Sequence, residues 1–122
     1  MIWLTLFFKL CIGHALADFA LQRDFIARGK NRHAPLVNVP VGQTPQAVWP
    51  HILTAHALIH AGAVFVITGR ADLAVAELVI HWLIDFAKCE NWTGIHTDQA
   101  LHYACKALWA LTVVNPAFWS LR

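Results

Sequence analysis

Charged side chains are scarce in this sequence. Asp, Glu, Lys and Arg make up 13% of its 122 residues, whereas hydrophobic residues make up 58%. Ordinary soluble domains contain about 25% charged and about 45–50% apolar residues, so this balance favours a membrane protein. The net charge is only +2 and the charges are scattered, so we expect no nucleic-acid partner. The length fits a single domain with one core.

Cysteine is also scarce. The three cysteines, Cys11, Cys89 and Cys105, form no CxxC pair and are odd in number. This argues against a framework of disulfide bonds. Cys105 follows His102 by three residues and could share its helix face, although a buried cysteine usually acts as a small hydrophobic residue.

The N-terminal segment lacks one feature of a secretory signal peptide. An apolar run at 2–12 precedes an Ala-Leu-Ala pattern that resembles a cleavage site. No positively charged region precedes this run, however, and Lys9 interrupts it. We therefore interpret the segment as a helix that the protein retains.

Four apolar segments predict an all-α protein. Polar residues within them recur every four positions and not every two, which favours helices over strands. Pro and Gly cluster between 31 and 46, the one predicted long loop. Pro50 suits a first helical turn, and Asp72 and Thr97 can cap the helices that follow them. The predicted helices span about 2–27, 50–68, 72–89 and 97–114.

The segments are long enough to cross a membrane. The second has about 19 residues and so about 28 Å of helix, enough to span a hydrocarbon core. Only this segment is expected to pass a hydropathy test alone, so an all-helical soluble domain stays an alternative. Trp3, Trp49, Trp92 and Trp119 lie near segment ends, as in interfacial aromatic belts. We predict an integral-membrane antiparallel four-helix bundle with a polar interior, surrounded by the lipid bilayer.

Basic residues set the predicted orientation. Arg23, Arg28, Lys30 and Arg32 follow the first segment, with only Asp24 to oppose them. The positive-inside rule places this loop in the cytoplasm and both termini outside. We therefore expect a multi-pass protein of the bacterial inner membrane.

Each predicted helix carries a polar stripe. Residues four apart share a helix face, and every segment has polar residues at that step. Counted from the cytoplasmic ends at 1.5 Å per residue, the stripes overlap between roughly 8 and 20 Å into the membrane. The stripes comprise His14, Asp18 and Gln22; His56 and His60; Glu77, His81 and Asp85, with Lys88 nearby; and Asp98, His102 and Lys106.

Carboxylates and imidazoles that converge inside a helix bundle are ligands for divalent transition metals. We expect zinc, with manganese or iron as alternatives, because nitrogen and oxygen donors dominate and no thiolate pair is present. Glu77 is the predicted general base and Lys88 a catalytic contact to phosphate, while Gln22, Gln99 and Lys106 are expected to support the ligands. His33, His51 and His96 are not assigned to the site. The predicted ligands are His14, Asp18, His56, His60, His81, Asp85, Asp98 and His102.

The order of these residues resembles a family of bacterial and phage membrane proteins catalogued as domain of unknown function 3307. The resemblance covers nearly the whole chain, but the family name implies no activity. A looser similarity to small membrane proteins described as predicted metal-dependent hydrolases raises the expectation of a metal site. The matching pattern is H-x3-D-F-x2-Q at 14–22, a lysine at Lys30, H-x3-H at 56–60, E-x3-H-x3-D-x2-K at 77–88 and D-Q-x2-H at 98–102.

Three functions remain open from the sequence. The first is a metal-dependent hydrolase acting on a lipid-linked phosphoester. The second is a metal or proton transporter, which with four spans would need a homodimer. The third is a non-enzymatic bacterial or phage interaction protein, in which pairs such as Lys88 with Asp85 and Lys106 with Glu77 only hold the helices together.

Overall fold

The described part of the chain consists mainly of helices, and the longest gap between two of them lies between Gly29 and Pro45. The computed structural model describes residues 2–34, 40–43, 45–115 and 117, and within them it contains no strand. The predicted all-α class is therefore confirmed. Trp119 and most of the predicted loop's centre, at 35–39, lie outside the described residues. The elements are α1 (Ile2–Ala15), a π-helical turn (Leu16–Ala20), α2 (Asp24–Gly29), α3 (Pro45–Thr68), α4 (Ala71–Cys89) and α5 (Ile95–Val114).

The first segment is not the continuous helix that we predicted over 2–27. The Leu21 N–H donates to the Leu16 carbonyl oxygen at 2.9 Å, a bond that spans five residues. The chain then becomes extended at Arg23, before α2 begins. The Gln22 side-chain amide donates to the Asp18 carbonyl oxygen at 3.2 Å. Single π-helical turns often occur at functional sites, and this one contains Asp18.

The other helices begin earlier than the sequence predicted. α3 starts at Pro45, so Pro50 lies inside the helix and not in its first turn. α4 starts one residue before Asp72, whose carboxylate pairs with the Arg70 guanidinium at 2.6 Å and does not cap the helix. α5 starts at Ile95 after an extended Gly94, so the predicted Thr97 cap is also wrong.

Left-handed residues end α3 and α4. Gly69 has φ of 68° and its N–H donates to the Phe65 carbonyl oxygen at 2.8 Å. Asn91 has φ of 59°, and the following Trp92 N–H donates to the Ala87 carbonyl oxygen at 2.9 Å. Both arrangements are common helix C-terminal caps, because Gly and Asn tolerate this backbone region. They make the connections to α4 and α5 short.

The long helices enclose a core with an apolar half and a polar half. Contacts run from α1 to α3, α3 to α4, α4 to α5 and α5 back to α1, and α2 packs against α3. The apolar half contains Leu10, Val64, Leu73, Trp109 and Ala110. The polar half contains the histidines and carboxylates of the stripes.

The polarity of the molecule is inverted relative to a typical soluble domain. Among the described residues, twelve polar or charged residues are buried, compared with ten hydrophobic residues. Meanwhile, large hydrophobic side chains such as Ile2 (79% exposed) and Val66 (83% exposed) lie on the surface. Soluble proteins rarely bury Asp, Glu or Lys fully, so this distribution suits apolar surroundings.

Two helical stretches are long and apolar enough to cross a membrane. They are Ile2–Ala20, with a mean hydropathy of 1.4, and Val48–Thr68, with 1.6. The expectation that only the second segment would pass such a test is therefore wrong. The first stretch passes because Lys9 and Asp18 are its only charged residues.

Gly13 marks a close approach between α1 and α3. A Cβ atom at this position would lie 3.0 Å from Ile67 Cδ1 and 3.4 Å from Ala63 Cβ. We expect Gly13→Val to lower the free energy of unfolding by about 1–3 kcal/mol through overpacking, measured by thermal unfolding in detergent. Gly62→Val is the matched control, since a Cβ there meets no described atom within 4 Å. Equal destabilisation by both substitutions would contradict this prediction.

Candidate metal centre

The polar stripes of the four long segments converge in one half of the core. All eight predicted metal ligands are buried, and none is more than 8% exposed. By contrast, the unassigned His33, His51 and His96 are exposed. The donor atoms form three overlapping groups in which all atoms lie within 4.8 Å of one another. The groups are Asp18, His56, His60 and His81; His14, His81 and His102; and Asp85, Asp98 and His102.

Asp18 lies at the centre of a shell of imidazoles. Its Oδ1 lies 3.2 Å from His60 Nε2 and 3.3 Å from His56 Nε2. Its Oδ2 lies 3.4 Å from His14 Nε2 and accepts a hydrogen bond from the Gln99 amide at 2.9 Å. Among the described residues, no Lys or Arg forms a salt bridge with this carboxylate. The negative charge of Asp18 is therefore not balanced by a lysine or an arginine within salt-bridge distance in the described part of the chain.

Asp85 and Asp98, in contrast, are each paired with a lysine. Lys30 Nζ lies 2.6 Å from Asp85 Oδ2, and Lys88 Nζ lies 3.1 Å from Asp98 Oδ2. His102 Nε2 lies between the two carboxylates, 3.4 Å from Asp85 Oδ1 and 3.6 Å from Asp98 Oδ1. Asp85 thus pairs with Lys30. The Lys88–Asp85 pair expected for a non-enzymatic interaction protein is not formed.

Lys30 is the residue that our predicted site lacked. Its side chain is only 6% exposed and reaches the polar core from the segment that follows α2. A lysine so deeply buried usually requires a carboxylate partner, which Asp85 provides. The residue pattern that resembles the family includes Lys30, whereas the polar stripes of the helices do not. Only the family pattern therefore indicated this lysine in the sequence.

Glu77 joins three neighbours at the boundary with the apolar half. It forms a salt bridge with Lys106 and accepts the Trp109 indole N–H at 2.6 Å. His81 Nδ1 lies 3.2 Å from Glu77 Oε1. Because a carboxylate can only accept, His81 carries its proton on Nδ1, and its Nε2 lone pair faces the cluster. Trp109 was not among the predicted site residues, since it belongs to the apolar face of α5.

Several donor atoms in the cluster lack hydrogen-bond partners among the described residues. Buried polar atoms are nearly always bonded, and each unsatisfied one costs about 1–3 kcal/mol. A divalent ion would accept the free nitrogen lone pairs, and the mixture of imidazole and carboxylate donors fits such an ion. These buried groups could therefore hold a metal ion. The unpartnered atoms include His56 Nε2, His81 Nε2, His102 Nε2 and Asp98 Oδ1.

The residues at 30–34, which we call the strap, fasten Lys30 over the polar end of the core. Arg32 Nη2 donates to Glu90 Oε2 at 2.7 Å, and its guanidinium lies 5.5 Å from the Phe86 ring centroid. His33 Nε2 lies 3.1 Å from the other oxygen of Glu90. The hydrogen bond from Arg32 holds the pKa of Glu90 below its usual range. The strap and the end of α4 are thereby linked at neutral pH.

A sequence model of the family described as "Protein of unknown function (DUF3307)" matches residues 6–120, nearly the whole chain. The chain belongs to the DUF3307 family. The resemblance noted in the sequence is therefore confirmed, and every predicted site residue of this DUF3307 member lies within the match. Neither a curated protein nor a solved structure gives a significant match.

Proposed function

We propose that this DUF3307 member is a membrane-embedded, metal-dependent hydrolase that acts on a lipid-linked phosphoester. The observation that carries the proposal is the set of unpartnered, buried imidazole nitrogens of His56, His81 and His102 beside three carboxylates. A structural polar network would be expected to satisfy its own donors and acceptors. Side chains positioned to bind an ion, by contrast, leave their imidazole nitrogens without hydrogen-bond partners.

The proposed surroundings are those of the bacterial inner membrane. In this proposal the four long helices form an antiparallel bundle, with both termini outside and the polar end of the core toward the cytoplasm. The exposed apolar side chains and the two sufficiently apolar helical stretches support this arrangement. The basic residues that flank α2, Arg23, Arg28 and Arg32, favour the cytoplasmic side for that end.

The ligands are proposed to come from the eight buried histidines and aspartates, and zinc is the proposed ion. When bound, the ion would supply a Lewis acid that polarises a phosphoryl oxygen and activates water. His81 would offer Nε2 because Glu77 fixes its Nδ1 proton. The three hydrogen bonds to Glu77 favour this positioning role over the general-base role expected from the sequence.

Lys88 is the proposed contact to the substrate phosphate. Its side chain is 30% exposed, whereas those of Lys30 and Lys106 are only 6% and 2% exposed. Of these three lysines, Lys88 is therefore the most accessible to an anion that arrives at the polar end. A lipid-linked phosphate is the favoured substrate class because its tail could lie along the exposed apolar helices while its headgroup reaches Lys88.

The test is phosphate release from phosphatidate in mixed micelles by the zinc-loaded, detergent-purified protein. We expect Lys88→Met to lower kcat/KM by about 10²–10³-fold, as for removal of one donor that stabilises developing charge. Its bound zinc should not decrease. Lys9→Met, at an exposed position on α1, is the control and should retain activity. No phosphate release despite bound zinc would overturn the hydrolase, and zinc uptake into proteoliposomes would then support transport.

A further inference from the structure

We propose that the centre holds a single divalent ion, bound by the group of Asp18, His56, His60 and His81. In the group of Asp85, Asp98 and His102, lysine ammonium groups take the place of a second ion. This inference rests on the proposed metal site. It adds the number of ions and a role for Lys30 and Lys88.

The buried carboxylates of the core outnumber the lysines that pair with them. Four carboxylates are buried there, those of Asp18, Glu77, Asp85 and Asp98. Three ammonium groups pair with three of them, one lysine to each carboxylate. Every Asp and Glu of the sequence lies in the described part of the chain, so no other carboxylate enters this count. One negative charge is left over.

The uncompensated charge lies at Asp18. Asp18 is the carboxylate without a lysine, and its contacts are to three histidines and Gln99. An isolated buried carboxylate is costly, so Asp18 needs a cation. The same group contains the unpartnered Nε2 atoms of His56 and His81, which can serve as neutral ligands to that cation.

The charges of Asp85 and Asp98, in contrast, are already compensated. Lys30 Nζ lies 2.6 Å from Asp85, and Lys88 Nζ lies 3.1 Å from Asp98. Two ammonium groups neutralise both carboxylates of this group. A second divalent ion would have to displace them or face their repulsion at contact distance, whereas no lysine forms a salt bridge with Asp18 among the described residues.

A single divalent ion would also determine the net charge of the core. It would exceed the one uncompensated negative charge and leave the core with one net positive charge. The core then attracts an anion, which agrees with a phosphate group as the substrate. Two ions would leave a larger positive excess in a low-dielectric region, which would be costly.

The experiment measures zinc stoichiometry. Untagged full-length protein in detergent is loaded with zinc, desalted without chelator and submitted to elemental analysis. We expect one zinc per chain in the wild type and two in Lys30→Gln, because Asp85 then lacks its internal cation. Lys9→Gln is the matched control, with its lysine exposed on α1, and should keep one zinc.

The possible zinc stoichiometries distinguish a failure of the one-ion inference from a failure of the proposed metal function. One zinc in the wild type and two in Lys30→Gln support the inference. Two zinc ions in the wild type, or one in both proteins, overturn it while the metal site stands. If the wild type binds none, the proposed metal function fails and a proton on a histidine must balance Asp18. Lys88→Gln repeats the test at a partly exposed lysine if Lys30→Gln does not fold.

Discussion

Replacing Lys106 with methionine is expected to lower the free energy of unfolding by about 3–5 kcal/mol, the usual cost of breaking a buried ion pair. Lys106 and Glu77 are each 1% exposed, so the substitution would leave a carboxylate in the core without a cation. The Trp109 indole still donates to Glu77, but a neutral donor does not balance the charge. Thermal unfolding in detergent, followed by circular dichroism, measures the change.

A double substitution provides the control for this prediction. Glu77→Gln combined with Lys106→Met removes both charges and keeps an acceptor for Trp109. We expect it to restore most of the lost stability, because paired removal of buried charges is often neutral. If Lys106→Met is as stable as Lys9→Met, which changes an exposed lysine, the pair does not stabilise the core.

Replacing a residue that only orients a metal ligand typically weakens metal binding by about 10–100-fold. We expect Asp18→Asn to weaken zinc binding by more than this. The substitution removes the one buried carboxylate that no lysine balances, together with an anionic oxygen donor. The asparagine oxygen can still accept from Gln99, so the fold should persist. Competition with a chelator of known affinity gives the zinc dissociation constant.

Asp24→Asn is the matched control for the zinc measurement. Asp24 lies on α2, is exposed, and lies outside the donor groups, so its removal should leave zinc affinity unchanged. Equal affinity of Asp18→Asn and Asp24→Asn would mean that the ion does not depend on Asp18. Both variants should also be compared by thermal unfolding, so that lost affinity is not confused with lost structure.

Helical periodicity was sufficient to predict which residues of the long helices meet. Pairs such as His81 with Asp85, or His14 with Asp18, lie four residues apart, and this spacing alone places them on one face. The stripes were then expected to face one another inside the bundle, because polar groups on apolar helices need polar partners. The recurrence of polar residues every four positions also predicted the helical class.

Features that depend on tertiary contacts could not be predicted in the same way. Lys30 reaches the core because Arg32 and Glu90 fasten the strap, and no local pattern specifies that pairing. The π-helical turn at Leu16–Ala20 has the composition of an ordinary helix. Trp109 was overlooked because an aromatic residue on an apolar face normally only packs, and its indole donor becomes visible only beside Glu77.

The ion pairs also bear on how such a chain could enter a lipid bilayer. Glu77 with Lys106 and Lys88 with Asp98 both join α4 to α5. Neither helix alone would partition readily into lipid, because each would carry uncompensated charge. Inserted together as a hairpin, they bring those four charges as two neutral pairs. Asp85 would then be neutralised by Lys30, a residue synthesised before either helix.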